Sequence, residues 1–439
     1  MFAPLYTAEE MRAAEQGHDL EELMERAGRA VADFVLRRYP DARRISALCG
    51  GGANGGDGRI ALRVLAEAGL EAAEGVSKDA DVVIDALFGT GFHGEPRPEA
   101  VDQIEGINEA GVPVVSVDVP SGVDASTGEV AGAAVRAEAT VTMHALKVGL
   151  AVAPGRFHTG EIEVADIGLD HAETETRLVT EEILELVPRK REGDTKYSAG
   201  AVLVVGGSPG MSGAVCLTAE AAFRADAGYV AVATHEESLP VVESRLLEAV
   251  KGTLDRIDQF AERASSLAIG PGLGRGDEER ALVRRLLGEL ELPAVVDADA
   301  LFELEPADWP APRVLTPHAG ELARLIDKES EWVDAHRLAA VRAAVDSFRC
   351  VVLLKGADTL VAAPGEGVLV CSSGTPALAT AGTGDVLTGV IGAFLAKGMD
   401  ARLAAAAGAV AHGRASELAT LQVGLVASDL LDALPDALV

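Results

Sequence analysis

The 439-residue sequence predicts an α/β protein of two domains, a doubly wound N-terminal sheet and a larger C-terminal α/β/α domain. Three observations predict it. Short, continuous apolar runs alternate with segments of helical spacing, the pattern of parallel strands covered on both faces. Several of these runs end directly in glycine-rich or aspartate-bearing loops, as strands of such sheets do at their carboxyl edge. The pattern lapses into polar residues over 171–180 (HAETETRLVT), passes through 188–194 (PRKREGD) and then restarts. The boundary is placed at 174, giving domains 1–174 and 175–439, sizes close to the usual range of about 100–200 residues.

In order along the first domain, residues 44–50 (RISALCG) form an apolar run ending in glycine. Residues 58–69 carry Ile60, Leu62, Val64 and Leu65 at helical spacing. Residues 82–87 (VVIDAL) and 114–119 (VVSVDV) are the second and third strands, with a helix over 99–110 between them, and 139–143 is a further strand. In the second domain, 201–207 (AVLVVGG) is a strand, 212–227 a helix of small residues, and 229–233, 267–269, 294–297, 313–315 and 350–354 are strands. The C-terminal segment is alanine-rich and helical. Each domain is expected to carry its own parallel sheet.

Composition narrows the function. Lys plus Arg total 38 and Asp plus Glu total 69, a formal charge of −31. Residues 1–174 hold 14 basic and 30 acidic residues (−16), leaving 24 and 39 (−15) for 175–439. This even acidity argues against nucleic-acid or anionic-membrane partners, whose phosphates it repels. No run reaches the ~18 apolar residues of a membrane span. The N-terminal residues lack a basic start and a long apolar core, so no signal peptide and a cytoplasmic location are expected. Cys49, Cys216, Cys350 and Cys371 form no CxxC pair and read as buried apolar thiols. Helices rich in small residues suggest a homo-oligomer.

The chemistry concentrates at strand ends. Residues 50–58 (GGGANGGDG) lie between a strand and a helix, where glycines let backbone approach a ligand and free helix N–H groups attract an anion. The spacing is not the dinucleotide-binding fingerprint, and a tight structural turn is the alternative. Asp85 ends VVIDAL ahead of the loop 89–95 (GTGFHGE), and Asp118 ends VVSVDV ahead of Pro120, Ser121 and Gly122. Carboxyl ends of parallel strands share one edge, so Asn54, Asp85, Asp118 and Ser121 converge. Such oxygen donors suit a hard cation; helix capping is the alternative for the two aspartates.

In the second domain, residues 381–389 (AGTGDVLTG) put Asp385 in the first turn of a helix, where an aspartate can take a proton from an attacking hydroxyl and helix N–H groups can hold a phosphoryl group. It is accompanied by 354–359 (LKGADT), 316–321 (TPHAGE) and 270–274 (GPGLG), with Asp297 and Asp299 as water-mediated Mg²⁺ holders.

The order GGANGGDG, DALFGTG, VDVPSG and HALKVGL resembles the NAD(P)H-hydrate epimerase domain over about residues 1–174. That resemblance implies K⁺ held by Asn54, Asp85 and Ser121. It implies hydrate contacts from Ala53, Asn54, Gly55, Gly56 and Asp57, from Gly89, Thr90, Gly91, Phe92, His93, Gly94 and Glu95, and from Asp118. The family pattern has Asn at position 53 and Pro at position 51, where this chain has Ala53 and Gly51. Inversion at C6 of the hydrate needs an acid–base group, for which Asp118 is the first candidate and Lys147 the second. Residues 175–439 resemble the ribokinase-like superfamily, and more narrowly its ADP-dependent NAD(P)H-hydrate dehydratases. The resemblance implies nucleotide contacts from Lys355, Gly356, Ala357, Asp358, Thr359 and Gly384, and hydrate contacts from Ala214, Gly272, His318 and the catalytic Asp385. The family commonly has a His before a Lys-x-x-x-Gly segment, where this chain has 194–200 (DTKYSAG). The implied activity is a fused repair enzyme acting on NADHX and NADPHX, with ADP as cosubstrate and Mg²⁺ and K⁺ as ions. A ribokinase-like kinase for a small molecule such as a vitamin precursor, with a non-catalytic N-terminal module, is the alternative.

Overall fold

The computed structural model describes residues 1–170 and 172–439; His171, part of the polar lapse, lies outside the described residues. The chain divides into two compact units, one of Pro4–Arg177 with Asp334–His336, the other of Met1–Ala3, Leu178–Val333 and Arg337–Val439.

The first unit is built on a six-stranded, wholly parallel sheet. Its spatial order is Glu71–Glu74, Arg44–Cys49, Val82–Ala86, Val114–Val117, Ala139–Met143, Glu161–Ala165. The continuous strands are buried on both faces: Val82, Ile84 and Ala86 pack with the helices Leu20–Arg38 and Ala53–Glu67, and Val83 packs with Ile104 and Ile107 of Pro98–Asn108. Each fully buried Val, Ile or Leu of this kind contributes about 1.5–3 kcal/mol. The strand order reverses at Arg44–Cys49, whose neighbours are Glu71–Glu74 and Val82–Ala86. A crevice opens at such a switch point, and it is here that the loops after Cys49 and Ala86 emerge. The helix expected over 58–69 begins earlier, at Ala53, so the glycine-rich segment is itself the first turns of a helix.

Among the described residues, the second unit carries nine sheet strands, from Ala201–Val205 to Leu369–Cys371. Its central run is parallel: Val351–Leu354, Arg313–Leu315, Ala294–Val296, Ser266–Ile269, Ala201–Val205, Tyr229–Thr234 and Val250–Thr253. The expectation of a purely parallel sheet needs correction. Val351–Leu354, Thr359–Ala362 and Leu369–Cys371 pair antiparallel. Only residues 355–358 join the first two of these strands, too short a link for a crossover, so the chain turns back as a hairpin. The helix Thr383–Ala396 packs against Ser212–Arg224 and Ala401–Leu418. Ala404, Ala405, Ala406 and Ala407 are fully buried inside this unit, so these small residues of the C-terminal helices serve packing within the unit.

All four cysteines are free; Cys216, Cys350 and Cys371 are buried, whereas Cys49 is only half-buried. Among the described residues no helix is long and apolar enough to cross a membrane.

Candidate functional site

The switch point of the first unit opens into a cavity of about 990 Å³, at the upper end of ordinary ligand-pocket volumes. The sequence-selected segments meet there: residues 50–54, Gly56, Asp57, 87–93 and Asp118 all line it. The cavity also receives residues that motif reasoning missed. Met11, Arg12 and Glu15 come from the helix Ala8–Glu15, and Leu20, Leu23, Met24 and Ala27 from Leu20–Arg38. The signal for these helices was present in the sequence. Thr7 and Glu10 form a capping box, and Asp19 caps the second helix by accepting from Glu21 and Glu22 N–H groups.

Asp118 follows the strand Val114–Val117 with φ +66, a left-handed conformation uncommon for a residue with a side chain and concentrated at functional sites. Its Oδ1 accepts from the Met143 N–H (3.1 Å), from the Thr142 hydroxyl (3.2 Å) and from Lys147 Nζ. Lys147 is not the exposed sheet-edge residue its position suggests. It is fully buried and also donates to Thr142 Oγ1 (2.9 Å) and the Met143 carbonyl (2.7 Å). Three acceptors therefore use its three N–H donors.

Asn54, Asp85 and Ser121 are brought together. Asp85 is fully buried; its oxygens accept from the Ser121 hydroxyl (2.6 Å), the Ser116 hydroxyl (2.8 Å) and the Ser121 N–H (2.9 Å). Asn54 donates to the Phe88 carbonyl (2.8 Å). A methyl at Gly89 would come within 2.9 Å of Asn54 Oδ1, so a larger residue there would have to displace the amide. Burial pushes the Asp85 carboxyl above its ordinary range, against its hydroxyl and amide donors. Those donors are all neutral. A buried carboxylate of this kind, beside amide, hydroxyl and carbonyl oxygens, is the chemistry a hard cation satisfies.

In the second unit Asp385 lies in the first turn of Thr383–Ala396, next to a cluster built on Asp297. Asp297 Oδ1 accepts from Lys355 Nζ (2.7 Å) and the Thr316 hydroxyl (2.8 Å), and Oδ2 from the Thr388 hydroxyl (2.8 Å). A methyl placed on Gly384 would lie 3.5 Å from Lys355 Nζ, so Lys355, Gly384 and Asp385 share one corner. Burial, then the charges of Asp297 and Asp299, raise the Asp385 carboxyl to about 7, with Lys355 opposing. Burial disfavours the Lys355 ammonium, but Asp297 and Glu321 outweigh it and hold that ammonium above its usual range. Ala214 and Gly272 are adjacent: a methyl at 272 would come within 3.2 Å of Ala214 Cβ.

One expectation is corrected here. Asp358 does not lie open to a ligand. It is fully buried and pairs with Arg337 Nε at 3.0 Å, while Lys355, Gly356, Ala357 and Thr359 retain exposure. His318 caps the helix Ala319–Leu325, its Nδ1 accepting from the Gly320 and Glu321 N–H groups, and its ring is otherwise exposed. Asp299 is engaged by Arg275 Nε (2.6 Å) and the Gly274 N–H (3.0 Å). Asp297 is engaged as well, and no group of three or more His, Cys, Asp or Glu residues that could ligate a metal directly occurs among the described residues.

Comparison with known proteins follows the two units. Residues 20–76 and 71–149 match the family described as YjeF-related protein N-terminus, and 202–436 match NAD(P)H-hydrate dehydratase. A bifunctional NAD(P)H-hydrate repair enzyme of Coxiella burnetii is 36% identical, covering 96% of this chain and 95% of its own length. That of Vibrio cholerae is 36% identical over 99% of this chain and 97% of its own. Among solved structures, an ADP/ATP-dependent NAD(P)H-hydrate dehydratase of Bacillus subtilis, co-crystallised with ATP/Mg²⁺, is 29% identical with a TM-score of 0.55, covering 59% of this chain and 96% of that one. With two relatives aligned at that identity from end to end, and both units matched by the corresponding family descriptions, the chain belongs to the bifunctional NAD(P)H-hydrate repair enzymes.

Proposed function

We propose that the first unit interconverts the R and S forms of NADHX and NADPHX, and that the second dehydrates the S form with ADP, yielding NAD(P)H, AMP and phosphate. The observation that carries this reading is Asp385: a half-buried carboxyl raised to about 7, at a helix N-terminus, in one corner with Lys355. A base poised near neutral pH suits removal of a hydroxyl proton.

Asp385 takes the proton from the C6 hydroxyl of the S-hydrate as the hydroxyl oxygen attacks the terminal phosphoryl group of ADP. Lys355, held by Asp297, and the N–H groups at the start of Thr383–Ala396 face the charge that develops. The bridging oxygen to phosphorus then leaves C6 as phosphate, driven by the ring nitrogen lone pair. Loss of the C5 proton restores the dihydronicotinamide. Ala214, Gly272 and His318 border the hydrate, and Lys355, Gly356, Ala357, Thr359 and Gly384 the nucleotide. Asp358 acts from behind, by fixing Arg337. Mg²⁺ would offset the charge of the transferred phosphoryl group, with Asp297 and Asp299 holding it through water.

In the first unit Asp118 is the base that receives the C6 hydroxyl proton, and Lys147 positions it. Residues 53–57 and 89–95 form the hydrate cradle. Asn54, Asp85 and Ser121 would hold K⁺, whose charge would offset that of the buried Asp85 carboxylate. Domains 1–174 and 175–439 carry the two reactions in a cytoplasmic enzyme, with a homo-oligomer as the proposed assembly. The test is an assay of purified R- and S-hydrates with ADP and with ATP. Asp385→Asn is expected to lower NADH recovery by roughly 10²–10⁴-fold while epimerisation continues. A stable phosphate ester in place of NADH would instead establish a kinase.

A further inference from the structure

The cavity of the first unit contains a carboxyl that the reading above uses only as part of the hydrate cradle, with no proton transfer assigned to it. Asp57, on the helix Ala53–Glu67, is buried and lines the cavity together with Asp118 and Glu15. Its Oδ1 is buried without a hydrogen-bond partner, and an orphaned polar atom in a native interior calls for an explanation. The contrast with Asp118 supplies one. Asp118 Oδ1 is surrounded by three donors, Lys147 among them, whereas Asp57 Oδ1 has none.

The charged and titratable groups around the cavity are Arg12 and Glu15 from the first helix, Asp118 with Lys147 behind it, and His93 from the loop. The helix Leu20–Arg38 presents only the apolar Leu20, Leu23, Met24 and Ala27. Burial, then the charges of Asp118 and Glu15, push the Asp57 carboxyl up to about 8. It keeps its proton at neutral pH, and a protonated carboxyl facing a reaction cavity can serve as a general acid.

We propose that Asp57 is the general acid of epimerisation, delivering its proton to the ring nitrogen of the hydrate while Asp118 takes the proton of the C6 hydroxyl. The electron pair of the hydroxyl O–H bond forms the C6=O double bond. The C6–N1 pair moves to the nitrogen, which accepts the Asp57 proton. The product is an open-chain aldehyde with a secondary amine. Rotation about C5–C6 presents the other carbonyl face, and the reverse transfers close the ring with C6 inverted. No atoms or electrons are gained or lost, so no co-reactant is needed.

The inference rests on the epimerisation proposed above, and the experiment separates the two. R- and S-hydrate interconversion is followed without ADP, and dehydration of S-hydrate with ADP is followed on the same full-length sample. Asp57→Asn retains the size and a hydrogen-bond donor but has no acidic proton to transfer. It is expected to lower epimerisation kcat by about 100-fold or more, with KM within about threefold and dehydration unchanged. Wild-type epimerisation is expected to fall above about pH 8, where the acid ionises. Asp57→Glu, which restores an acid, is expected to recover part of the rate. A variant that still epimerises within threefold of wild type, or that loses activity through KM alone, overturns the role of Asp57. If the Asn variant does not fold, a wild-type profile flat from pH 7 to 10 overturns it equally. A wild-type chain that does not interconvert the hydrates overturns the underlying reading instead.

Discussion

At the scale of single residues, the account depends on carboxyls whose surroundings set their proton affinity. Asp385 is raised to about 7 by burial and by Asp297 and Asp299. Since it must be ionised to act as a base, kcat/KM for dehydration is expected to rise through about pH 7 and level off above it. Asp297→Asn removes a like charge and should move that inflection towards acid; an unchanged inflection would contradict the assignment. Asp57 makes a complementary statement about stability. Its folded value, about 8, lies above the ordinary 3.8. Between these values the unfolded chain has released the proton that the folded chain keeps, so this group lowers stability as pH rises from about 4 to about 8, and no further above that. The Asp57→Asn protein should therefore gain on wild type in thermal unfolding between pH 5 and 8.5. Asn54, Asp85, Asp118 and Ser121 were legible in the sequence because parallel strands deliver their carboxyl ends to one edge. Asp358 was not, because its burial is decided by Arg337, a residue on a distant helix. The depth of Lys147 was hidden likewise, since only the fold shows Thr142 and Met143 receiving it.

At the scale of elements, the strands were the legible part. Runs such as 82–86 and 201–205 are buried at every position, so an unbroken apolar string marks them without ambiguity. The N-terminal helices were harder to read: Ala8–Glu15 and Leu20–Arg38 carry many charges, and only their caps announce them. The hairpin over 355–358 escaped notice because an apolar run does not reveal the direction of its partner. Helix packing at the second site gives a further prediction. A methyl added at Gly389 would lie 2.2 Å from the Thr218 carbonyl oxygen, and Thr218 itself donates to the Asp385 carbonyl (3.0 Å). Gly389→Ala is therefore expected to destabilise the second unit by about 1–3 kcal/mol and to lower dehydration with it. Denaturation followed alongside NADH recovery checks this; a neutral substitution would show that the two helices have room to separate.

At the scale of the whole molecule, the charge of −31 argues against polyanionic partners but says little about local nucleotide pockets. The local chemistry is different, with helix N–H groups, Lys355 beside Asp385, and a buried Asp85 suited to a cation. Two units with different sites on one chain make R-hydrate the informative substrate, since its repair requires both reactions. Asp118→Asn should consume S-hydrate normally and leave R-hydrate standing. The central claim is tested most directly by supplying purified R-hydrate and ADP to three proteins and following NADH absorbance with the R/S ratio. Wild type should convert R-hydrate to NADH, Asp385→Asn should equilibrate R and S without forming NADH, and Asp118→Asn should do neither. Formation of NADH from R-hydrate by the Asp385→Asn protein, or a stable phosphate ester from wild type, would contradict the account.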